Sequence, residues 1–126
     1  MTPAEIVTAF IHAIERKDVA GAAALVADDI SYENMPMDPI VGREGMSATL
    51  EAFLAPAGEV DWQILEQWEF GHTVINERLD RFEIGAGWLE LAIAGVFEIN
   101  DDGKITLWRD YFDLPTYHNQ LPEKSG

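Results

Sequence analysis

Residues 87–113 read "GWLELAIAGVFEINDDGKITLWRDYFD". Two apolar-rich runs flank Asn100-Asp101-Asp102-Gly103, residue types that tolerate positive φ, so the stretch predicts a β-hairpin. A strand alternates its side chains with period two. In the first run Leu89, Leu91, Ile93, Gly95 and Phe97 share an apolar face, while Trp88, Glu90, Ala92, Ala94, Val96 and Glu98 share a mixed one. In the second run Thr106, Trp108, Asp110 and Phe112 point one way, and Arg109 and Tyr111 the other. A carboxylate, Asp110, thus sits between two aromatic residues on the face that should be buried.

Working upstream, two more strands are expected over 59–70 and 73–84, separated by Gly71-His72 and followed by Gly85-Ala86-Gly87. With 87–99 and 104–113 they make an antiparallel meander. The first half reads differently. "TPAEIVTAFIHAIERK" (2–17) has Thr2 as N-cap, Pro3 at the first helical position and Glu5 three residues after the cap, a capping box. Its apolar stripe is Ile6, Phe10, Ile11 and Ile14. A short helix is expected in "VAGAAALVA" (19–27), a short strand in "ISYENMPM" (30–37), and a third helix from Arg43 to Leu54, closed by Pro56 and Gly58. Helices followed by strands imply an α+β fold. The expected form is a curved, mixed, largely antiparallel sheet shaped as a cone or cup and closed by three N-terminal helices. The mixed outer face of 87–99 suits a homodimer contact through the sheet face opposite the pocket. An exposed face is the other reading of the same pattern.

The 126 residues suit a single domain, 1–126, with a C-terminal tail from about 118. At 48% apolar content and with no Cys, the chain can fold on its core alone, and a reducing, cytoplasmic setting is expected. A net charge of −15 repels phosphate backbones, which argues against nucleic acid as a partner. Glu5, His12 and Glu15 interrupt the N-terminal apolar positions, so no secretory signal is expected. No apolar run approaches the roughly 20 residues of a membrane span, so no membrane partner is expected. His12, His72 and His118 lack ligand spacing, and no metal or other cofactor is expected. "GREG" (42–45) lacks the Lys of a phosphate loop. Trp62 and Trp68, six residues apart, are read as sharing a strand face and as packing or dimer residues.

Alternation also groups Val74, Asn76, Arg78, Asp80, Phe82 and Ile84 on one face of 73–84, and Ile30, Tyr32 and Asn34 on one face of 30–37. Glu33 falls on the opposite face and is left out of the site. Two carboxylates, one Arg, a Tyr and an Asn are then expected among apolar neighbours. A buried carboxylate must be paired or put to use. A buried ion-pair network around Arg78 satisfies that requirement. So does an acid and base pair, because two carboxylates that share one cation can be driven apart in pKa. The residues alone leave both open.

Tyr32-x-Asn34, Arg78-x-Asp80 and "WRDYFDL" (108–114), with "GREGMSATLEAFL", "ERLD", "AGVFEI" and "GKITLWRDYFDL" in order, resemble the limonene-1,2-epoxide hydrolases. Those belong with the cup-shaped folds of nuclear transport factor 2, ketosteroid isomerase and the SnoaL-like polyketide cyclases. The resemblance runs from the first helix to about Tyr117. It implies one-step addition of water to a small apolar epoxide, terpene-like or cyclic, to give a vicinal diol, without metal or covalent intermediate. By position, Asp110 would deprotonate water held by Tyr32 and Asn34. Asp80 would protonate the epoxide oxygen, and Arg78 would bridge the two carboxylates. Phe82, Leu91, Ile93 and Phe112, with Leu50 and Leu54, are expected as pocket walls. Two alternatives keep the fold: an isomerase or polyketide or polyether cyclase, which needs only one base, and a non-catalytic ligand-binding module.

Overall fold

A computed structural model describes residues 1–121. Helix α1 (Pro3–Glu15) starts with the expected capping box: the Thr2 hydroxyl accepts from Glu5 N–H, and Glu5 accepts from Thr2 N–H. Its stripe is buried, and Phe10 meets Trp108 edge to face at 5.0 Å. Helix α2 (Val19–Ala23) is shorter than expected. The chain leaves it early because Val26 opens strand β1 (Val26–Met35) and is fully buried opposite Ile105. Strand β2 (Ile40–Val41) precedes helix α3 (Arg43–Leu54). Strands β3 (Val60–Phe70), β4 (Thr73–Ile84), β5 (Gly87–Ile99) and β6 (Ile105–Tyr111) follow as the expected meander.

The six strands form one sheet in the order β2-β1-β6-β5-β4-β3. All neighbours are antiparallel except β1 and β6, which run parallel. The sheet is therefore mixed, as expected, and the early strand is joined to the last. The inner faces of β4 and β5 are buried along their length, as alternation predicts. Leu89, Leu91, Ile93 and Phe97 line one side of the core, and Ile6, Phe10, Ile11 and Ile14 of α1 contribute to it.

Two features differ from expectation. A seven-residue helix, α4 (Leu114–Gln120), follows β6, capped by Asp113 on Thr116 N–H. The tail expected from about 118 therefore starts inside a helix, and its residues 122–126 lie outside the described part. The second feature is a bulge in β3. Ile64 pairs with Arg78 but Glu66 pairs with Glu77, so Leu65 is an extra residue and the strand's faces exchange there. Among the described residues no helix is long and apolar enough to cross a membrane.

Candidate active site

The site is organised by one guanidinium. Arg78 makes five hydrogen bonds to three side chains. Nε and Nη2 donate to the two oxygens of Asp80, each at 3.0 Å. Nη2 and Nη1 donate to the two oxygens of Asp110, at 2.8 and 3.2 Å. Nη1 also donates to Asn76 Oδ1 at 3.0 Å. The planar fork of Arg suits such paired carboxylates, where a Lys ammonium would not. All four side chains are buried.

Strand geometry explains the arrangement. Asn76, Arg78 and Asp80 alternate onto one face of β4, so they are neighbours by sequence alone. Asp110 lies on β6, with β5 in between, and Arg78 must cross β5 to reach it. Gly95 is the β5 residue paired with both Asn76 and Asp110. A Cβ at Gly95 would lie 2.4 Å from Arg78 Nη1, 2.8 Å from Asn76 Oδ1 and 3.0 Å from Asp110 Oδ1. Glycine here leaves the space the ion triad occupies, a close approach that a strand glycine permits.

The triad is tethered on both sides. Trp108 Nε1 donates to Asp110 Oδ1 at 2.9 Å. Asn76 Nδ2 donates to Gln67 Oε1 at 3.1 Å, and Gln67 Nε2 donates to Thr8 Oγ1 at 3.0 Å on α1. The Trp62 ring lies 5.3 Å from the Arg78 guanidinium carbon, within cation–π range. Parallel pairing of β1 with β6 sets Tyr32 opposite Trp108 and Asn34 opposite Asp110. The Tyr32 ring stacks on Trp108 at 4.0 Å. Arg109, next to Asp110 in sequence, faces away and pairs with Glu33 at 2.8 Å. The structure thus brings together all five residues expected to do chemistry: Tyr32, Asn34, Arg78, Asp80 and Asp110.

Burial pushes the Asp80 carboxyl up to about 6 from an ordinary 3.8. Arg78 opposes that shift, while the charges of Asp110 and Glu15 add to it. Burial alone would lower the pKa of Arg78, but the two carboxylates outweigh it and hold the guanidinium charged. Burial, reinforced by Asp110, also raises the Tyr32 phenol and keeps it protonated. One cation between two acids, one of them able to keep a proton near neutrality, supplies an acid and a base at one point.

A cavity of about 420 Å³ adjoins the triad, and Asp80 and Asn34 line it. Phe82, Leu91, Ile93 and Phe112 form walls, as expected. Leu50 and Leu54 do not. They lie on the side of α3 packed into the core, and α3 offers Thr49, Ala52 and Phe53 to the cavity instead. The helix's most apolar stripe points into the core, and the cavity lies at its flank. Arg78, Asp110 and Tyr32 do not line the cavity.

Several participants were not foreseen. Trp62 lines the cavity opposite Asp80, whereas Trp68 is exposed on the outer face; the expected shared face is undone by the bulge at Leu65. The same bulge turns Gln67 inward toward Asn76. Asn76 itself was within reach of the pattern, since it shares the inner face with Arg78 and is polar. Tyr117 of α4 and the following Leu121 also reach the cavity, and nothing in the alternation points to them.

The model of the limonene-1,2-epoxide hydrolase catalytic domain matches residues 1–123. Epoxide hydrolase EphG of Mycobacterium tuberculosis is 36% identical over 108 residues, covering 86% of this chain and 71% of that protein. The solved structure of an M. tuberculosis LEH-like epoxide hydrolase superposes with a TM-score of 0.80 at 33% identity, over 91% of this chain and 85% of that one. A putative SnoaL-like polyketide cyclase from Shewanella denitrificans OS-217 reaches the same TM-score, 0.80, at 16% identity, over 94% of this chain and 96% of that one. That last likeness concerns the fold alone.

Proposed function

Because the chain belongs to the limonene-1,2-epoxide hydrolase family and is a hydrolase of epoxides, we propose that it adds water in one step to a small apolar epoxide, terpene-like or cyclic, and releases a vicinal diol. The observation that carries this reading is the Arg78 fork held on Asp80 and Asp110 at once, beside an apolar cavity that Asp80 enters. A single base would need no second carboxylate on the same cation.

Asp110 is the general base. It accepts hydrogen bonds from Arg78 and from the Trp108 N–H, which fix its orientation. Asn34, opposite it in register, and the Tyr32 hydroxyl position the water whose proton Asp110 takes as the oxygen attacks an epoxide carbon. Asp80 is the general acid. Its proton goes to the epoxide oxygen as the C–O bond breaks, which removes the alkoxide charge. Each of the two proton transfers is worth roughly 10²–10⁴ in rate. The apolar walls exclude bulk water and strengthen both. The protein ends with a proton on Asp110 and one missing from Asp80, and exchange through solvent or Arg78's neighbours restores the starting state.

Single turnover in heavy-oxygen water tests the route. The diol is expected to carry one label and the protein none, read by mass spectrometry of each. Label on Asp80 or Asp110 would mean a covalent ester and would reject the one-step scheme. Absence of diol from a panel of terpene, cyclic and aryl epoxides would reject the substrate class.

The acid role sets a pH dependence. Asp80 must be protonated to act, so kcat/KM is expected to fall as pH rises through about 6. Asp80→Asn, which cannot donate that proton, should remove this limb together with most of the activity. A limb that survives unchanged in Asp80→Asn would assign it to another group.

We also place the protein in the cytoplasm, as a homodimer joined through the outer sheet face. That face carries exposed Trp68, Leu65 and Tyr111 around Ala92 and Ala94. Sedimentation is expected to give twice the chain mass of 14.1 kDa. Ala94→Glu should return it to a monomer.

A further inference from the structure

The cavity walls carry more than apolar area. Phe53 of α3, Trp62 of β3 and Phe82 of β4 form a three-ring group with centroids 5.3–6.3 Å apart. Phe53 and Trp62 each meet Phe82 at a steep angle, 70° and 85°, and all three residues line the cavity. This group abuts the acid: Phe82 is two residues from Asp80 on the same face, and Trp62 is its cross-strand partner. A second group, Phe112 and Tyr117 at 6.2 Å, also lines the cavity, from the end of β6 and from α4.

Between them the floor is aliphatic, from β5. An epoxide with its oxygen at Asp80 has its nearest substituent against the three rings. Aromatic pairs prefer edge-to-face or offset contacts, because the ring face is negative and the rim positive, and they gain beyond the area they bury. A saturated ring of the same carbon count has no such quadrupole. It is thicker and more apolar, so burial of area alone would favour it. The two effects therefore predict opposite orders.

We infer that the cavity selects epoxides that carry an arene next to the reacting ring, in preference to saturated rings of equal size. This inference rests on the epoxide hydrolase reading; among small apolar epoxides it favours aryl-bearing ones over saturated, terpene-like rings of the same size. The aromatic groups act on binding and orientation, and the arene takes no part in bond making.

The test uses the wild-type protein and a matched pair: an oxirane bearing a benzyl group and one bearing a cyclohexylmethyl group. The methylene insulates the epoxide from the ring, so the two have similar intrinsic reactivity. The benzyl compound is expected to show kcat/KM at least about fivefold higher, the size of one or two aromatic contacts. A ratio of one or less would overturn the arene preference while leaving the hydrolase reading standing. Turnover of neither compound, nor of any other epoxide, would overturn the hydrolase reading itself. Phe53→Leu provides the second arm, read as the ratio between the two substrates in that variant. The ratio is expected to fall toward one, whatever happens to absolute rates. An unchanged ratio would show that the three-ring group is not its source.

Discussion

Asp110→Asn is expected to lower kcat/KM by about 10²–10⁴, with far-UV circular dichroism unchanged. The amide cannot take a proton from water, yet it has nearly the shape of the carboxylate. Its one oxygen can still accept from Arg78 Nη1 and from Trp108, as Oδ1 does in the acid, but the amide NH2 cannot accept from Arg78 Nη2 as Oδ2 does. A lost charge-assisted bond in a buried site costs about 1–3 kcal/mol, a shift readable by urea titration. KM should move far less than kcat, because Asp110 acts on the attacking water and not on the apolar body of the substrate. Residual activity should also peak at lower pH. The charge of Asp110 helps raise Asp80, so removing it lets the acid lose its proton sooner. Full activity in Asp110→Asn would remove the base from the scheme.

Gly95→Ala is expected to do comparable damage without touching a reacting group. The added methyl would sit 2.4 Å from Arg78 Nη1, and Arg78 cannot swing aside without dropping its bonds to Asp110 and Asn76. Overpacking of this kind costs about 1–3 kcal/mol. A displacement of about 1 Å in a positioning group can cost about 10² in rate. Gly87, in the same strand, is the control: nothing lies within 4 Å of a Cβ there. Gly87→Ala should stay within about 0.5 kcal/mol of wild type and keep its activity. Equal behaviour of the two variants would mean that Gly95 has no special place.

The inner and outer faces of β4, β5 and β6 were readable because period-two alternation survives wherever pairing is regular. That is why Arg78, Asp80 and Asp110 could be placed together, and why Arg109 could be excluded. The regularity fails at Leu65, where one extra residue exchanges the faces of β3. The local signal is faint: apolar and polar residues alternate over 60–64, and only the apolar Leu65 directly after Ile64 interrupts the pattern. The shared face expected of Trp62 and Trp68 fails for this single reason, and Gln67 turns inward with the same exchange. Leu50 and Leu54 show a different limit. Helical periodicity identifies the side that meets the core, and a cavity beside the core draws on the flanking positions Thr49, Ala52 and Phe53. Helix α4 is only seven residues long and has no buried residue, so it has no stripe to read. Its contribution to the cavity follows from where β6 ends.

The bulge also divides the labour of one strand. Before Leu65, Trp62 reports to the cavity opposite Asp80; after it, Gln67 holds the guanidinium's partner Asn76 from behind, and Trp68 faces outward. Substrate fit and the outer surface can therefore drift separately along a single β-strand, since Trp62 pairs with Asp80 on the inner face and Trp68 with Ile75 on the outer one. Deleting Leu65 would straighten the strand and keep that division, since Glu66 would still pair with Glu77, Gln67 with Asn76 and Trp68 with Ile75. Forcing a retained Leu65 into regular pairing would instead turn the Trp68 ring to the inner face and carry Gln67 outward.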